Sequence, residues 1–166
     1  MGVTKRESVM NQRKLEEIRE FIRNQSETSK VYIGCDSEAY KRKGQKFADY
    51  YLVVVVHING RNGCKIFGDR VTEPDCSTDK KRPTYRLMNE VYKASNLYLE
   101  LAEAIGDREV EIHLDLNPDK RYASNLILEQ AIGYIKGTCN VIPLVKPDSW
   151  VATHVADKML KVVNKR

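Results

Sequence analysis

Residues 31–38 read VYIGCDSE, and the predicted fold is built around this stretch. Its first residues favour an extended, buried backbone, so they predict a central β-strand. The strand runs directly into Asp36, which places a carboxylate at its end. A charge at the end of a buried strand is unfavourable unless something offsets it.

A second stretch repeats this design. Residues 110–116 read VEIHLDL, alternate apolar and polar side chains, and carry Asp115 near their end. Asn117 and Pro118 follow and favour a turn. Two neighbouring strands that end in this way would bring two carboxylates to one edge of a sheet, where a bound cation would offset their repulsion.

The composition is that of an ordinary globular protein. The chain has 166 residues, of which 42% are hydrophobic and 31% charged, so one domain with a substantial core is expected. The longest apolar run, residues 50–56, is too short to span a bilayer. The first residues contain no apolar segment typical of a signal peptide. We therefore expect a cytoplasmic protein without a membrane partner.

The cysteines and the charges add weaker information. The four cysteines are scattered without a Cys-x-x-Cys pair, which argues against a zinc knuckle or a disulfide framework and fits a reducing cytoplasm. The net charge of +5 comes mainly from clusters at residues 41–43, 80–82, 120–121 and 161–166. Such a mild excess points to nucleic acid only if the clusters surround a site.

Periodicity and turn residues divide the chain into four helices and five strands. The predicted helices cover residues 7–25, 84–105, 121–136 and 148–162. The predicted strands cover residues 30–36, 49–58, 64–72, 109–116 and 140–145. Residues 37–47 are interpreted as a basic, glycine-containing loop, and residues 59–63 as a hairpin turn.

After the first helix, the order of elements is β-β-β-α-β-α-β-α. Three meandering strands followed by two right-handed crossovers predict a five-stranded mixed sheet in the order 3-2-1-4-5, flanked by helices. This α/β arrangement is typical of ribonuclease H-like proteins. We expect residues 30–166 to form that domain, and residues 1–29 to be an appended helix and linker.

Two helices offer further carboxylates for the same edge of the sheet. At about 100° per residue, Glu90 falls inside the apolar stripe of its helix, so its side chain should face the sheet. The same helical-wheel analysis of the last helix predicts that Asp148 faces the sheet and Asp157 faces solvent. Each position also has an ordinary explanation: strand-end aspartates can form turns, Glu90 can border the stripe, and Asp148 can cap a helix.

Several segments carry a family resemblance. They read YIGCDS at 32–37, IHLDLNPD at 112–119, GYIKG at 133–137, VKPDS at 145–149 and VAD at 155–157. These segments resemble the bacterial YkuK family, which is classed as ribonuclease H-like. The resemblance implies that Asp36, Glu90 and Asp115 occupy the acidic positions of the wider superfamily and that Asp148 supplies the carboxylate of the last helix. The last of the segments keeps Asp157 open as a competitor.

Two other residues belong to the candidate site. Glu38 follows Asp36 in an Asp-x-Glu sequence, which is similar to the first motif of proofreading-type exonucleases. Those enzymes also place a His or Tyr four or five residues before a final Asp, whereas His154 precedes Asp157 by only three. His113 shares a strand face with Asp115, so it is either an aid to proton transfer or a hydrogen-bonded structural residue.

The basic loop supplies candidate residues for binding a nucleic-acid backbone. They are Lys41, Arg42, Lys43 and Lys46. Their position just after Asp36 favours contact with phosphates near the acidic edge. A solvated loop is the alternative.

Carboxylates gathered from several elements are typical of sites that hold two divalent ions for phosphodiester hydrolysis. We therefore expect a nuclease with two Mg²⁺ or Mn²⁺ ions, bound by Asp36, Glu90, Asp115 and Asp148. Its substrate should be RNA or an RNA–DNA hybrid, with DNA as an open alternative. The competing interpretations are a non-catalytic nucleic-acid-binding module and a 3′–5′ exonuclease-type relative, and the oligomeric state stays open.

Overall fold

A computed structural model describes residues 10–78, 84–119, 121, 125 and 127–159. Within these residues, a mixed sheet of four strands is covered by helices. The strands are β1 (Lys30–Arg42), β2 (Gln45–His57), β3 (Cys64–Pro74) and β4 (Val110–Leu114). The helices are α1 (Gln12–Arg23), α2 (Thr84–Ile105) and α3 (Leu128–Cys139), with a π-helical segment at Val151–Ala156.

Strand β1 lies inside the sheet, whose order is β3-β2-β1-β4. It pairs antiparallel with β2 along its whole length and parallel with β4 over Val31–Cys35. The last parallel pair joins Cys35 to Leu114. Asp36 and Asp115 directly follow that pair and therefore lie side by side, as the sequence predicted, although β1 continues beyond Asp36.

The two faces of β1 pack against different elements. Ile33 and its alternate neighbours join the main core, which also contains residues of α1 and α2. Tyr32 lies on the other face with the π-helical segment. Gly34 permits this packing because a Cβ atom there would lie 2.9 Å from the Ala152 backbone nitrogen. The π-helical segment therefore sits directly on the strand that carries Asp36.

Helix α1 is confirmed, with narrower bounds than predicted; residues 7–9 lie outside the described residues. The Asn11 side chain caps it by accepting hydrogen bonds from the backbone of Arg13 and Lys14. Its apolar stripe of Leu15, Ile18 and Ile22 is fully buried in the same core as the sheet.

The interpretation of residues 37–47 as a loop is wrong. Strand β1 continues to Arg42, β2 begins at Gln45, and the ladder between them is unbroken. Lys43 and Gly44 form a two-residue turn in which both φ angles are positive, 51° and 77°. Such a turn matches the twist of the flanking strands, so a glycine that suggested a loop in fact closes a long hairpin.

The predicted fifth strand is also wrong, because only an isolated parallel bridge between His113 and Leu144 forms there. Backbone hydrogen bonds on either side of Leu144 join it to Ile112 and Leu114. The Lys146 backbone N–H also donates to the Leu116 carbonyl at 2.9 Å, so the segment follows β4 without forming a second bridge.

The last two predicted helices differ from the structure at their ends. Helix α3 begins at Leu128, continues through Gly137, and ends at Cys139, and Asn140 after it adopts a left-handed conformation. The last helix begins at Trp150, winds as a π-helix through Ala156, and returns to α-helix at residues 157–159. The predicted continuation to 162 lies outside the described residues. Among the described helices, none has the length and apolar character needed to cross a bilayer.

Candidate acidic site

Asp36 lies at the centre of the candidate site. It is only 8% exposed. Burial, together with the negative charges of Asp115 and Asp157, raises its pKa from the ordinary value of 3.8 to about 7, although the Ser37 backbone N–H and Arg86 act in the opposite direction. Three carboxylates from three elements therefore lie close enough to influence one another.

Glu90 approaches from the second turn of α2 and is 4% exposed, so the prediction that its side chain faces the sheet is confirmed. Burial raises its pKa well above the usual value, and the charges of Asp36 and Asp115 act in the same direction. The Ser37 hydroxyl donates a hydrogen bond to Glu90 Oε1. We call Asp36, Glu90, Asp115 and Asp157 the acidic cluster.

Arg86 is a member of the site that sequence analysis missed. It lies one turn before Glu90, and its guanidinium is 4.0 Å from the Glu90 carboxylate. The same nitrogen donates hydrogen bonds to the carbonyl and hydroxyl oxygens of Ser37, at 3.1 and 2.8 Å. Arg86 Nε is buried and has no acceptor among the described residues. The i,i+4 spacing of Arg86 and Glu90 was the signal that could have revealed the pair.

Asp115 is held by two side chains. Lys146 Nζ lies 2.9 Å from Asp115 Oδ1, and the Thr153 hydroxyl donates to the same oxygen at 3.1 Å. Lys146 follows the segment expected to be the fifth strand, and sequence spacing gave no indication of its contact with Asp115. A groove of about 420 Å³ opens beside this contact, and Lys146, Thr153, Asn117 and Asp119 are among its lining residues.

The orientations expected for Asp148 and Asp157 are reversed in the structure. Asp148 is exposed, and its charge acts on His113 rather than on Asp36. Asp157 is half-buried and acts on Asp36. The helical-wheel prediction failed for two reasons. Asp148 precedes the helix, which starts at Trp150, and the angle between successive residues differs between a π-helix and an α-helix.

His113 is completely buried, and both of its ring nitrogens are hydrogen-bonded. Nδ1 accepts a bond from the Val151 backbone N–H at 3.2 Å, so Nε2 carries the proton and donates it to Glu111 at 2.9 Å. Burial lowers the pKa of His113. These contacts favour the structural interpretation, in which a neutral histidine holds the π-helical segment against β4.

The remaining sequence candidates lie farther along the β1–β2 hairpin. Glu38 is exposed two residues beyond Asp36, on the same face of β1. Lys41 and Arg42 lie on β1, Lys43 is in the turn, and Lys46 is on β2. The structure therefore separates the basic residues from the acidic cluster along the hairpin.

The acidic cluster offers the ligand chemistry of a divalent metal site, since carboxylate oxygens suit Mg²⁺ and Mn²⁺. As the side chains stand, no three of the described His, Cys, Asp and Glu residues converge closely enough to hold an ion. Glu90 is turned towards Ser37 and Arg86, and Asp115 towards Lys146. The side chains of Arg86 and Lys146 thus partly neutralise the acidic cluster.

Comparison with known proteins agrees with this architecture. A family model described as ribonuclease H-like matches residues 13–161, which include α1, the sheet and the acidic cluster. No curated protein and no solved structure matched the chain. Since the family model covers most of its length, the chain belongs to the ribonuclease H-like family.

Proposed function

We propose that this protein is a nuclease that depends on divalent metal ions and hydrolyses phosphodiester bonds in RNA or an RNA–DNA hybrid. The observation that supports it best is the mutual influence of the four carboxylates in the acidic cluster. They come from β1, α2, the end of β4 and the last helix. Each is buried or half-buried, and their charges raise the pKa values of Asp36 and Glu90.

Repulsion among the carboxylates of the cluster favours a bound cation. Arg86 pairs with Glu90 and Lys146 pairs with Asp115, yet the charges of Asp115 and Asp157 still raise the pKa of Asp36. A cation bound among these carboxylates would relieve their repulsion in a partly buried site. Asp36, Glu90, Asp115 and Asp157 would hold one or two Mg²⁺ or Mn²⁺ ions. When bound, such ions activate a water molecule and neutralise charge on the phosphate.

The choice of Asp157 as the fourth ligand rests on its influence on Asp36. Asp148 is the alternative, because it occupies the position that the YkuK resemblance implies. We also propose that the chain belongs to the YkuK group within the larger family, on the segments quoted above. The two aspartates can be compared directly by replacing each with asparagine.

The chain's own cations have a role in this proposal. Arg86 presents a buried Nε without an acceptor among the described residues. Lys146 lines the groove beside Asp115. Both are suited to contact the phosphates of a bound strand once the carboxylates bind metal. The ribonuclease H-like fold implies a nucleic-acid partner in general, and this arrangement would place the strand across β1 at Asp36 and across the carboxyl end of β4.

A non-catalytic nucleic-acid-binding module is the second candidate. It is favoured by the pairing of Glu90 with Arg86 and of Asp115 with Lys146, which satisfies two carboxylates without an ion. A 3′–5′ exonuclease-type relative is less well supported. Glu38 shares a face with Asp36, but His154 lies only three residues before Asp157 and is exposed.

Replacing Asp115 with asparagine tests the proposal. The substitution keeps the shape of the side chain but removes one carboxylate, so we expect cleavage of a labelled RNA–DNA hybrid with Mn²⁺ to fall by more than about 100-fold. Asp107→Asn, an exposed position in the turn before β4, is the control. Single-stranded RNA and duplex DNA should be assayed in parallel.

Two results would decide against the nuclease. Cleavage by Asp115→Asn at the rate of the unmodified protein would remove the acidic cluster from the chemistry. Binding of nucleic acid without cleavage, and without thermal stabilisation by Mn²⁺, would favour the binding module.

A further inference from the structure

The far end of the β1–β2 hairpin is an unusual concentration of positive charge. Residues 39–48, which we call the basic hairpin, read AYKRKGQKFA and contain four cations and no carboxylate. Lys41 lies directly opposite Lys46 in the ladder. Like charges in that position destabilise a hairpin. None of the four cations forms an ion pair with a described carboxylate within 4.0 Å, so the repulsion is not relieved within the described part of the chain.

The basic hairpin also carries an aromatic pair. Tyr40 and Phe47 are cross-strand partners whose rings stack with centroids 5.9 Å apart and planes inclined by 26°. Tyr40 is 36% exposed, and Phe47 is half-buried. Neither residue belongs to the hydrophobic core around β1. The pair therefore offers an aromatic surface to solvent on the face of the hairpin that also carries Arg42, whereas Lys41 and Lys46 lie on the opposite face.

The position of this pair connects it to the acidic cluster. Side chains alternate along a strand, so Asp36, Glu38 and Tyr40 share one face of β1. Four residues separate Asp36 from Tyr40, which corresponds to about 13 Å along the strand. A short extended stretch of nucleic acid can span that distance, with one part at the cluster and an adjacent part at the aromatic pair.

We propose that the basic hairpin binds a single-stranded segment next to the bond that the acidic cluster cleaves. This inference rests on the proposed nuclease function and adds the form of the substrate. Tyr40 and Phe47 would stack on an unpaired base, while Arg42 on the same face and Lys43 in the turn contact the flanking phosphates. Lys41 and Lys46 add positive charge from the opposite face of the hairpin. An unpaired base is required because the bases of a continuous duplex are stacked on each other and cannot cover an aromatic ring.

Binding measurements without metal separate this inference from catalysis. Fluorescence anisotropy in EDTA would compare twelve-nucleotide oligo(U), oligo(dT) and a blunt duplex on the full chain. We expect both single strands to bind more tightly than the duplex. Tyr40→Ala should weaken single-strand binding by about 5- to 100-fold and leave its salt dependence unchanged, since stacking involves no counterion.

The charge variant should behave differently. Arg42→Gln combined with Lys43→Gln should weaken binding to all three ligands and reduce the slope of log affinity against log salt by about 1.4 for the single strands. Tyr92→Ala and Lys65→Gln, which alter an exposed aromatic on α2 and a cation on β3, are the matched controls and should bind like the unmodified chain. If Tyr40→Ala fails to fold by circular dichroism, Tyr40→Leu replaces it.

The outcomes distinguish this inference from the nuclease proposal. If the hairpin variants bind single strands as the unmodified chain does while Asp115→Asn abolishes cleavage, the hairpin proposal alone is overturned. If binding depends on the hairpin but cleavage does not depend on Asp115, the nuclease proposal alone fails. Equal affinity for duplex and single strands, or a preference for an acidic polypeptide such as polyglutamate, would overturn the assignment of a single-stranded ligand.

Discussion

The two halves of β1 differ in what surrounds them. Residues 31–35 have β2 on one edge and β4 on the other, and all of them are buried. Residues 38–42 have β2 as their strand partner within the described part of the sheet, and their side chains are exposed. The acidic cluster lies at the boundary between the halves. The comparison indicates that the site forms where a parallel neighbour ends while the central strand continues beyond it.

Gly34 tests how strictly the buried half is packed, and it should give the largest effect on stability. An alanine Cβ would lie 2.9 Å from both the Ala152 nitrogen and Val151 Cγ1. We expect Gly34→Ala to lower the free energy of unfolding by about 3 kcal/mol, because the π-helical segment has to shift. Urea denaturation measures this.

Gly137→Ala in α3 is the matched control for Gly34→Ala. A Cβ atom there meets nothing within 4 Å, so the substitution should be neutral or stabilise the helix by up to about 1 kcal/mol. Equal denaturation midpoints for Gly34→Ala and the unmodified chain would show that the π-helical segment does not lie against the strand.

Asp36→Asn tests the boundary between the buried and the exposed half of β1. Folding raises the pKa of Asp36 from 3.8 to about 7 through burial, Asp115 and Asp157. The folded state therefore holds the proton more tightly, and this group's contribution to stability falls as the pH rises from about 4 to 7, then stays low. Without metal, Asp36→Asn should be more stable than the unmodified chain by about 2 kcal/mol at pH 8, and the difference should disappear near pH 4.

Thermal melts across that pH range, with EDTA present, provide the measurement. Asp107→Asn again serves as the control and should follow the unmodified chain at every pH. A constant difference between Asp36→Asn and the unmodified chain from pH 4 to pH 8 would mean that the carboxyl of Asp36 titrates normally in the folded protein.

Lys146→Met should have the smallest effect on stability. Its side chain is partly exposed, so losing the pair with Asp115 should cost no more than about 1 kcal/mol. Removal of a competing cation should instead lower the Mn²⁺ concentration needed for thermal stabilisation several-fold. Weaker Mn²⁺ binding in this variant would indicate that Lys146 supports the metal site rather than competing with it.

Regular elements were predictable from sequence, whereas irregular ones were not. Glu90 was placed correctly because α2 is a long, regular α-helix with a clear apolar stripe. Asp36 and Asp115 were correctly placed side by side because the apolar runs before them form paired strands, although β1 continues to Arg42 instead of ending at Asp36. The orientations of Asp148 and Asp157 were predicted the wrong way round because the last helix is π-helical, and no periodic pattern in this sequence predicts a π-helix.

The missed features share a different cause, which is contact between distant segments. Lys146 reaches Asp115 only after the chain has made a crossover, so spacing along the sequence carries no trace of the pair. The fifth strand was predicted from its apolar residues, although the described residues there form a single bridge, between Leu144 and His113. The hairpin was interpreted as a loop because its residues are basic and include a glycine, which in the structure occupies a turn position with positive φ.

A crystal structure of the protein with Mn²⁺, located by its anomalous scattering, would show directly whether the acidic cluster binds metal. We expect Mn²⁺ bound by Asp36 and Asp115, with Asp157 and Glu90 turned towards it and Lys146 displaced from Asp115. An ion bound only at exposed Asp148, or no ion at the edge of the sheet at saturating Mn²⁺, would contradict the proposed metal site.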